Sequence, residues 1–208
     1  MKKWFIIDSN IGGGKTTLIE LLGKNEKYDT ITEPVNVWRN IKDSEGTNLL
    51  DHYYKDMHSN SYMFQSMVFV TRLQALDVKQ EKDIRFSERS IMTDKNVFGR
   101  LCIENGQMTP IQSVSYNYWF DWLSSKFNTK PDGIIYMRSE PEKCLERIKK
   151  RARPEEETIP LEYLKKLHQY HDEWLLNEKD IPICVIDNNK DNDWDNVVKQ
   201  VENFIKTP

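Results

Sequence analysis

Three consecutive glycines, followed by a lysine and two threonines, constrain the fold of this chain more than any other feature of its 208 residues. The glycines occupy positions 12–14, between an apolar run at residues 4–8 and a segment with leucine and isoleucine at helical spacing. A strand, a glycine loop and a helix in this order direct backbone N–H groups towards one point. The sequence therefore predicts an anion-binding loop over residues 9–17.

The loop follows the pattern G-x-x-x-x-G-K-[ST], which is typical of nucleotide-binding proteins. In that pattern Lys15 reaches the β- and γ-phosphates and the Thr16 hydroxyl binds Mg²⁺. Ser9 replaces the first glycine and can serve if its φ angle is negative. A glycine-rich turn that binds nothing is the alternative, but the flanking strand and helix favour nucleotide binding. The predicted contacts are Ser9, Asn10, Ile11, Gly12, Gly13, Gly14, Lys15, Thr16 and Thr17.

Short apolar runs alternate with helix-like segments along the rest of the chain. The runs lie at residues 30–32, 84–87, 134–137 and 183–186. The helix-like segments are clearest at residues 60–80, 110–127, 142–151 and 161–177. This alternation predicts an α/β fold in which helices flank a parallel sheet of about five strands. Because no repeat or Gly/Ser linker divides the chain, we expect a single domain over residues 1–208.

The composition excludes several classes of protein. Lys and Arg number 30 against 33 Asp and Glu, a net charge of −3, which argues against a broad nucleic-acid-binding surface. No apolar run approaches the roughly 18–20 residues that cross a bilayer. Cys102, Cys144 and Cys184 lack metal-site or CxxC spacing, which fits reduced thiols. We expect a cytoplasmic protein with no signal or transit peptide and no membrane partner.

The loop pattern is shared by GTP-dependent switches, ATP-driven motors and small-molecule kinases. A switch needs an Asn-Lys-x-Asp loop to read guanine, and residues 94–96 do not supply it. A motor has an apolar strand that ends in an acidic residue, a pattern that residues 85–88 match only in part. A small-molecule kinase is therefore the interpretation that remains.

Charged residues follow two of the predicted strands. Glu33 comes after residues 30–32, and Glu88 and Arg89 come after residues 84–87. Ligands of open α/β sheets bind at the carboxyl ends of the strands, so these side chains should lie near the glycine loop. Adjacent strand residues point to opposite faces, so Glu88 and Arg89 can both serve only if the chain turns there.

A strongly basic segment lies at residues 143–153, with six Lys or Arg and one Glu. Arg147 and Arg151 are one helical turn apart, and Arg153 follows in the next loop. Such a fork can close over a triphosphate. The alternative is a solvated helix end whose cations stabilise the helix dipole.

The ordered motifs of the chain resemble the deoxyribonucleoside kinases, and most of all the deoxycytidine and deoxyguanosine kinase branch. The resemblance runs over nearly the whole chain. Its motifs are residues 10–12 with 14–16, residues 33–35 with Trp38, Tyr54 with residues 64–65, residues 88–90 with Asp94 and Phe98, and residues 147–156 followed by 159–164.

The resemblance implies ATP-dependent phosphorylation of a nucleoside 5′-hydroxyl. It implies that Glu33 is the general base, that Lys15 and Arg89 act on the phosphoryl charge, and that Thr16 and Glu88 hold Mg²⁺. A helical-hairpin lid is implied at about residues 147–160. The implied ATP contacts outside the loop are Arg147, Arg151 and Arg153 of the lid, with Asp191 near adenine.

The resemblance also implies a nucleoside pocket. Gln65 would read the base between aromatic walls, Tyr54 and Glu156 would hold the 3′-hydroxyl, and Arg72 with Asp94 would favour deoxycytidine or a deoxypurine over thymidine. The implied substrate contacts are Glu33, Trp38, Leu50, Tyr54, Phe64, Gln65, Arg72, Arg89, Asp94, Phe98 and Glu156. The remaining aromatic residues, Trp4, Trp119, Phe120 and Trp122, are predicted to pack in the core.

Two other functions remain open at this point, a nucleoside monophosphate kinase and a nucleotide sensor that lost turnover through Ser9. The apolar breadth of residues 60–80 and 110–127 also suggests burial on a second face. This fits the helix-mediated homodimer that the resemblance implies.

Overall fold

The computed structural model describes residues 2–190 and 193–206, with residue 155 described by its backbone alone. Within these ranges five strands form one sheet in the order β2-β3-β1-β4-β5, and all neighbouring pairs are parallel. The strands are β1 (Lys3–Asp8), β2 (Tyr28–Ile31), β3 (Ile84–Glu88), β4 (Gly133–Arg138) and β5 (Ile183–Asp187). The predicted sheet is confirmed, and strand ends shift by two residues or fewer.

Helices connect the strands and cover both faces of the sheet. The α-helices of the described residues are α1 (Lys15–Gly23), α2 (Val35–Asn40), α3 (Leu49–Lys55), α4 (Met57–Leu76), α5 (Ile91–Thr93), α6 (Arg100–Glu104), α7 (Pro110–Lys126), α8 (Pro141–Arg151), α9 (Leu161–Leu175) and α10 (Trp194–Phe204). A π-helical segment (Asp94–Gly99) joins α5 to α6, and a 3₁₀ turn (Pro154–Glu156) lies between α8 and α9. The predicted helices are α1, which follows the glycine loop, and α4, α7, α8 and α9. Helices α2, α3, α5, α6 and α10 were not predicted, and the first four of these have seven residues or fewer.

Local chemistry fixes where the long helices begin. Pro110 occupies the first turn of α7, where its missing N–H costs nothing. Thr109 accepts a hydrogen bond from the Gln112 backbone N–H, and the Gln112 side chain accepts one from the Thr109 N–H. Asp56 caps α4 by accepting a bond from the Ser59 N–H at 3.1 Å.

The two faces of β1 carry separate apolar clusters, as the two-residue period of a strand requires. Phe5 and Ile7 face α1 and α10. Trp4 and Ile6 face the other side, where they pack with Leu175 of α9. A doubly covered strand of this kind reads as a continuous apolar run, which explains why residues 4–8 were recognisable in the sequence.

Two tryptophans predicted to lie in the core are exposed instead. Trp119 and Trp122 of α7 are 46% and 44% exposed, whereas Trp4 is buried as predicted. Phe120 is partly buried against the cluster around Phe69. Residues 119 and 122 lie on the side of α7 that faces away from this cluster, so their apolar character does not reflect core packing. No helix in the described ranges is both long and apolar enough to cross a membrane.

The carboxyl ends of β1 and β3 meet at one edge of the sheet. Ile7 of β1 pairs with Glu88 of β3, and the Arg89 N–H donates to the Ile7 carbonyl at 3.0 Å. Arg89 has φ 60°, a left-handed conformation that is rare for a residue other than glycine. The expected turn after β3 is therefore present, and it lets Glu88 and Arg89 face the same cleft.

Candidate active site

The glycine loop connects β1 to α1, and two of its positions, 12 and 14, require glycine. Gly12 and Gly14 have φ angles of 77° and 81°, which favour glycine. A Cβ atom on Gly12 would lie 2.5 Å from the Cys144 carbonyl oxygen, so α8 approaches the loop too closely for any side chain. The loop backbone is thereby fixed beside the start of α1.

Ser9 fits the loop without backbone strain, and its side chain makes glycine necessary at position 13 as well. Its φ angle lies outside the left-handed region, as the prediction required. Its hydroxyl is buried and donates to the Asn10 carbonyl at 2.9 Å. A Cβ atom on Gly13 would lie only 1.8 Å from the Ser9 Oγ atom. Ser9 therefore occupies the space that a side chain at position 13 would need.

We expect Gly13→Ala to lower kcat/KM for ATP by about tenfold or more, because the new methyl group displaces the loop. The double variant Ser9→Gly with Gly13→Ala should recover most of the loss, since removing the serine side chain frees that space. Steady-state kinetics of both variants, with Ser9→Gly alone as the control, tests this coupling. Wild-type kinetics in the Gly13→Ala single variant would contradict it.

Lys15 lies buried at the start of α1, with its ammonium group over the loop. The Nζ atom donates to the carbonyl oxygens of Ser9 at 3.2 Å and Asn10 at 2.9 Å. Burial is the main reason that the pKa of Lys15 falls to about 8, and the nearby Arg89 charge lowers it further. The Lys15 amine is thus charged at neutral pH and loses its proton as the pH rises through about 8.

The pH dependence of ATP use should reflect this lysine. Since kcat/KM reports the free enzyme, we expect kcat/KM for ATP to decline as the pH rises above about 8, where Lys15 loses its charge. Lys15→Arg should keep its charge through that range, because a guanidinium does not titrate there. A decline at the same pH in Lys15→Arg would assign the limb to another group.

Thr16 and Glu88 bring two hard oxygen donors together at the edge of the sheet. The Thr16 hydroxyl lies 3.2 Å from each carboxylate oxygen of Glu88. Hydroxyl and carboxylate oxygens suit Mg²⁺, which protein sites usually hold together with substrate phosphates and water. Among the described residues no group of three or more His, Cys, Asp or Glu side chains could hold a metal by itself. The pair fits an ion that arrives with a nucleotide.

Glu33 lies between two buried arginines. Its Oε1 atom accepts from Arg72 Nη2 at 2.6 Å and from Arg89 Nη1 at 2.8 Å. Burial alone would raise the pKa of Glu33, but the charges of Arg89, Arg72 and Lys15 outweigh it and hold the pKa well below its ordinary value. Glu33 is therefore an ionised carboxylate at every physiological pH, the state that a proton acceptor requires.

Arg72 connects this carboxylate to a second one. Its Nε atom donates to Asp94 Oδ2 at 2.8 Å, and both side chains are nearly inaccessible to solvent. Burial raises the pKa of Asp94 to about 6, although the Arg72 charge opposes the shift. Both members of the pair line the same cleft, where they place a charged donor next to a charged acceptor.

Gln65 supplies a polar group to an apolar part of the same cleft. It is 2% exposed, and its Oε1 atom has no hydrogen-bond partner among the described residues. Trp38 and Phe64 lie beside it in the cleft wall, with ring centroids 5.4 Å apart. A buried acceptor without a partner costs about 1–3 kcal/mol, so a ligand that donates a hydrogen bond here would regain that energy.

The basic segment reaches the cleft from α8. Arg151 Nη2 donates to Glu156, and Arg153 Nη1 donates to the same carboxylate at 3.3 Å. Arg147 instead donates to the Asn188 carbonyl at 2.9 Å. All three arginines line the cleft, but their partners here are protein groups.

One cleft of about 780 Å³ joins these groups. That volume lies within the usual range for small-molecule sites, roughly 300–1,000 Å³. With the exception of Ser9, Asn10 and Asp191, every predicted site residue lines it. Ser9 and Asn10 are buried loop residues whose carbonyl oxygens accept from Lys15 Nζ, and Asp191 lies outside the described residues.

A sequence model of the deoxynucleoside kinase family matches residues 5–206. The chain belongs to the deoxynucleoside kinase family. It is 37% identical to deoxycytidine kinase 2 of Gallus gallus, over 89% of this chain and 82% of the relative. It is 34% identical to deoxycytidine kinase of Mus musculus, over 97% and 90% of the two chains. It is also 35% identical to mitochondrial thymidine kinase 2 of Homo sapiens, over 88% and 68%.

Membership of the deoxynucleoside kinases decides among the functions that the sequence left open. The chain is a kinase of deoxynucleosides that uses ATP, rather than a monophosphate kinase or a silent sensor. Its relatives include deoxycytidine kinases and a thymidine kinase, so the family alone does not choose the base.

Several residues of this kinase's cleft were not predicted. Tyr163 of α9 lines it and lies 3.3 Å from Tyr53, hydroxyl to hydroxyl. Asn188 donates to the Gly13 carbonyl at 2.7 Å, and Trp194 of α10 lies beside Gly14. No local pattern distinguishes such residues, although Asn188 does follow directly after the end of a strand.

Proposed function

We propose that this kinase transfers the γ-phosphoryl group of Mg²⁺-ATP to the 5′-hydroxyl of deoxycytidine or a deoxypurine nucleoside in preference to thymidine. The observation that carries the proposal is the buried Arg72–Asp94 pair, which lies in the same cleft as the unpartnered Gln65 oxygen. A cytosine or adenine edge presents both an amino donor and a nitrogen acceptor, which Gln65 can pair.

The Asp94 carboxylate supplies the discrimination. It can accept from an exocyclic amino group, which cytosine carries at N4 and adenine at N6. Thymine presents a carbonyl oxygen and a methyl group at the corresponding edge. A carboxylate that faces a carbonyl oxygen in a buried site leaves both acceptors unsatisfied, which is costly.

The phosphoryl transfer is assigned to Glu33, which shares Arg72 with Asp94, and to the charged residues around the glycine loop. Glu33 accepts the proton of the 5′-hydroxyl as the oxygen attacks the γ-phosphorus, and the bond from that phosphorus to the β,γ-bridging oxygen breaks to release ADP. Arg89, Lys15 and the lid arginines stabilise the charge of the transferring group. Thr16 and Glu88 would hold Mg²⁺, which would supply positive charge beside the phosphates of ATP.

An assay of ATP consumption tests the reaction class. The protein is incubated with Mg²⁺-ATP and, in separate reactions, each of the four deoxynucleosides and each corresponding monophosphate, and ADP is measured. We expect turnover with nucleosides and only background ADP with monophosphates. Faster turnover with a monophosphate than with any nucleoside would reject the proposed acceptor.

We further propose that the kinase is a homodimer. Exposed apolar side chains form a stripe along α7 at helical spacing: Ile111, Val114, Tyr118, Trp119 and Trp122. Helix α4, which packs beside α7, adds Met63 and Val70. Contiguous apolar surface of this kind typically marks an interface, and a second copy of the chain presents the same stripe across a twofold axis.

Tyr118→Glu is expected to convert a dimer into a monomer in light scattering, because it places a charge in the centre of the stripe. Val78→Asp changes a similarly exposed apolar residue outside the stripe and should leave the dimer intact. A wild-type protein that is monomeric at assay and higher concentrations would refute the proposal.

The three free cysteines fit a reducing compartment, and we propose that the kinase is located in the cytoplasm.

A further inference from the structure

A histidine and an aspartate lie completely buried beneath the glycine loop. Asp8 is the last residue of β1, and His171 lies on α9, the helix that follows the lid. Both are 0% exposed, and His171 Nε2 lies 3.3 Å from Asp8 Oδ1. The proposed phosphoryl transfer uses neither residue, so the contact needs another explanation.

The second ring nitrogen shows where the histidine protons lie. His171 Nδ1 is 2.7 Å from the Leu167 carbonyl oxygen. A carbonyl oxygen only accepts, so Nδ1 carries a proton. Nε2 then either carries a second proton or presents a lone pair to the carboxylate. A lone pair facing a carboxylate at 3.3 Å in a dry site would be repulsive, so the geometry favours an imidazolium.

Asp8 connects the ion pair to the substrate site through two hydrogen bonds. Its Oδ1 atom accepts from the Ser9 backbone N–H, the first of the loop, at 2.8 Å. Its Oδ2 atom accepts from the Thr93 hydroxyl at 2.6 Å, directly before Asp94. One carboxylate thus fixes both the start of the phosphate loop and the segment that carries the base-reading aspartate.

Other charged or titratable groups approach the pair from several elements. The charge of Arg89 lies near Asp8 from the end of β3, and Lys15 interacts with it from α1. Tyr136 of β4 stacks on the His171 ring, but its hydroxyl donates to Asp172. Burial alone would raise the pKa of Asp8, yet His171 and Arg89 outweigh burial and lower it. Asp8 is thus ionised.

We propose that His171, as an imidazolium paired with Asp8, is a positioning residue for the phosphate loop. It neutralises and orients the carboxylate that anchors the loop, and it acts on Mg²⁺-ATP only through Asp8. The proposal rests on the proposed function in one respect, that the loop binds ATP. Asn10 reinforces the link by donating to the Leu164 carbonyl of α9 at 2.8 Å.

Nitrogen NMR of the full-length protein tests the protonation state directly. The chain has four histidines, and the spectrum of His171→Gln assigns the signals of residue 171. We expect both ring nitrogens of His171 to carry protons in the folded protein at neutral pH, because Nδ1 lies against the Leu167 carbonyl and Nε2 against the Asp8 carboxylate. One bare nitrogen on His171 at neutral pH would overturn the proposal. This outcome does not depend on any kinase activity.

Calorimetry with Mg²⁺-ATP tests the consequence. His171→Gln keeps an N–H group that can reach Asp8 but removes the charge, so we expect Kd to rise about tenfold. His168→Gln, one turn earlier on α9, should leave Kd unchanged. The double variant Asp8→Asn with His171→Gln removes both charges and should bind better than Asp8→Asn alone. Unchanged Kd in a folded His171→Gln variant would contradict the positioning role.

Discussion

Glu33→Gln is expected to lower kcat by about 10²-fold or more while nucleoside binding stays within a few-fold of the wild type. The carboxylate is ionised because Arg72 and Arg89 both donate to it. Glutamine keeps the shape and one acceptor oxygen but cannot take the proton of the attacking hydroxyl. Steady-state kinetics gives kcat, and calorimetry gives the nucleoside Kd.

Two controls accompany this experiment. Glu20 lines the same cleft from α1 but is exposed to solvent, so Glu20→Gln should change kcat less than about twofold. Thermal unfolding shows whether Glu33→Gln is folded, since two buried arginines lose a charged partner. A folded Glu33→Gln enzyme with wild-type kcat would exclude Glu33 as the base.

Asp94→Asn should change which base the kinase prefers. The amide can still accept from Arg72, but it presents an N–H group where the carboxylate offered an oxygen. We expect kcat/KM for deoxycytidine to fall by about 10–100-fold, the usual effect of one mismatched base contact. The value for thymidine should fall much less or rise, because the amide can donate to the thymine carbonyl.

The same substitution should alter the pH profile. The pKa of Asp94 is raised to about 6, so the wild-type carboxylate is lost as the pH falls through that value. We therefore expect kcat/KM for deoxycytidine to fall on the acid side, and this limb should be absent in Asp94→Asn. Asp121→Asn, a change at an exposed position of α7, is the matched control. Equal losses for deoxycytidine and thymidine would show that Asp94 has only a structural role.

Sequence patterns predicted the parts of this molecule that local chemistry determines. The strand before the loop is apolar at every position from 4 to 7 because helices cover both of its faces. Glu33 and Glu88 were placed near the loop because they follow strands of a parallel sheet, whose carboxyl ends share one edge. The need for a turn at Arg89 followed from the alternation of strand side chains.

The contacts that depend on tertiary packing could not be predicted from such patterns. No periodicity shows that Arg72 of α4 reaches Glu33, or that His171 of α9 lies against Asp8. Trp119 and Trp122 were predicted to lie in the core but are exposed, because apolar residues in a helix do not by themselves show which face the core covers. Tyr163 was known from the family motif but not as a neighbour of Tyr53.

The most direct test of the account is a comparison of the four deoxynucleosides with the wild-type enzyme and Mg²⁺-ATP, in which the nucleoside 5′-monophosphate is identified and kcat/KM is measured for each. The buried Arg72–Asp94 pair predicts a higher kcat/KM for deoxycytidine or a deoxypurine nucleoside than for thymidine. A kcat/KM for thymidine equal to or above all three others would contradict the account.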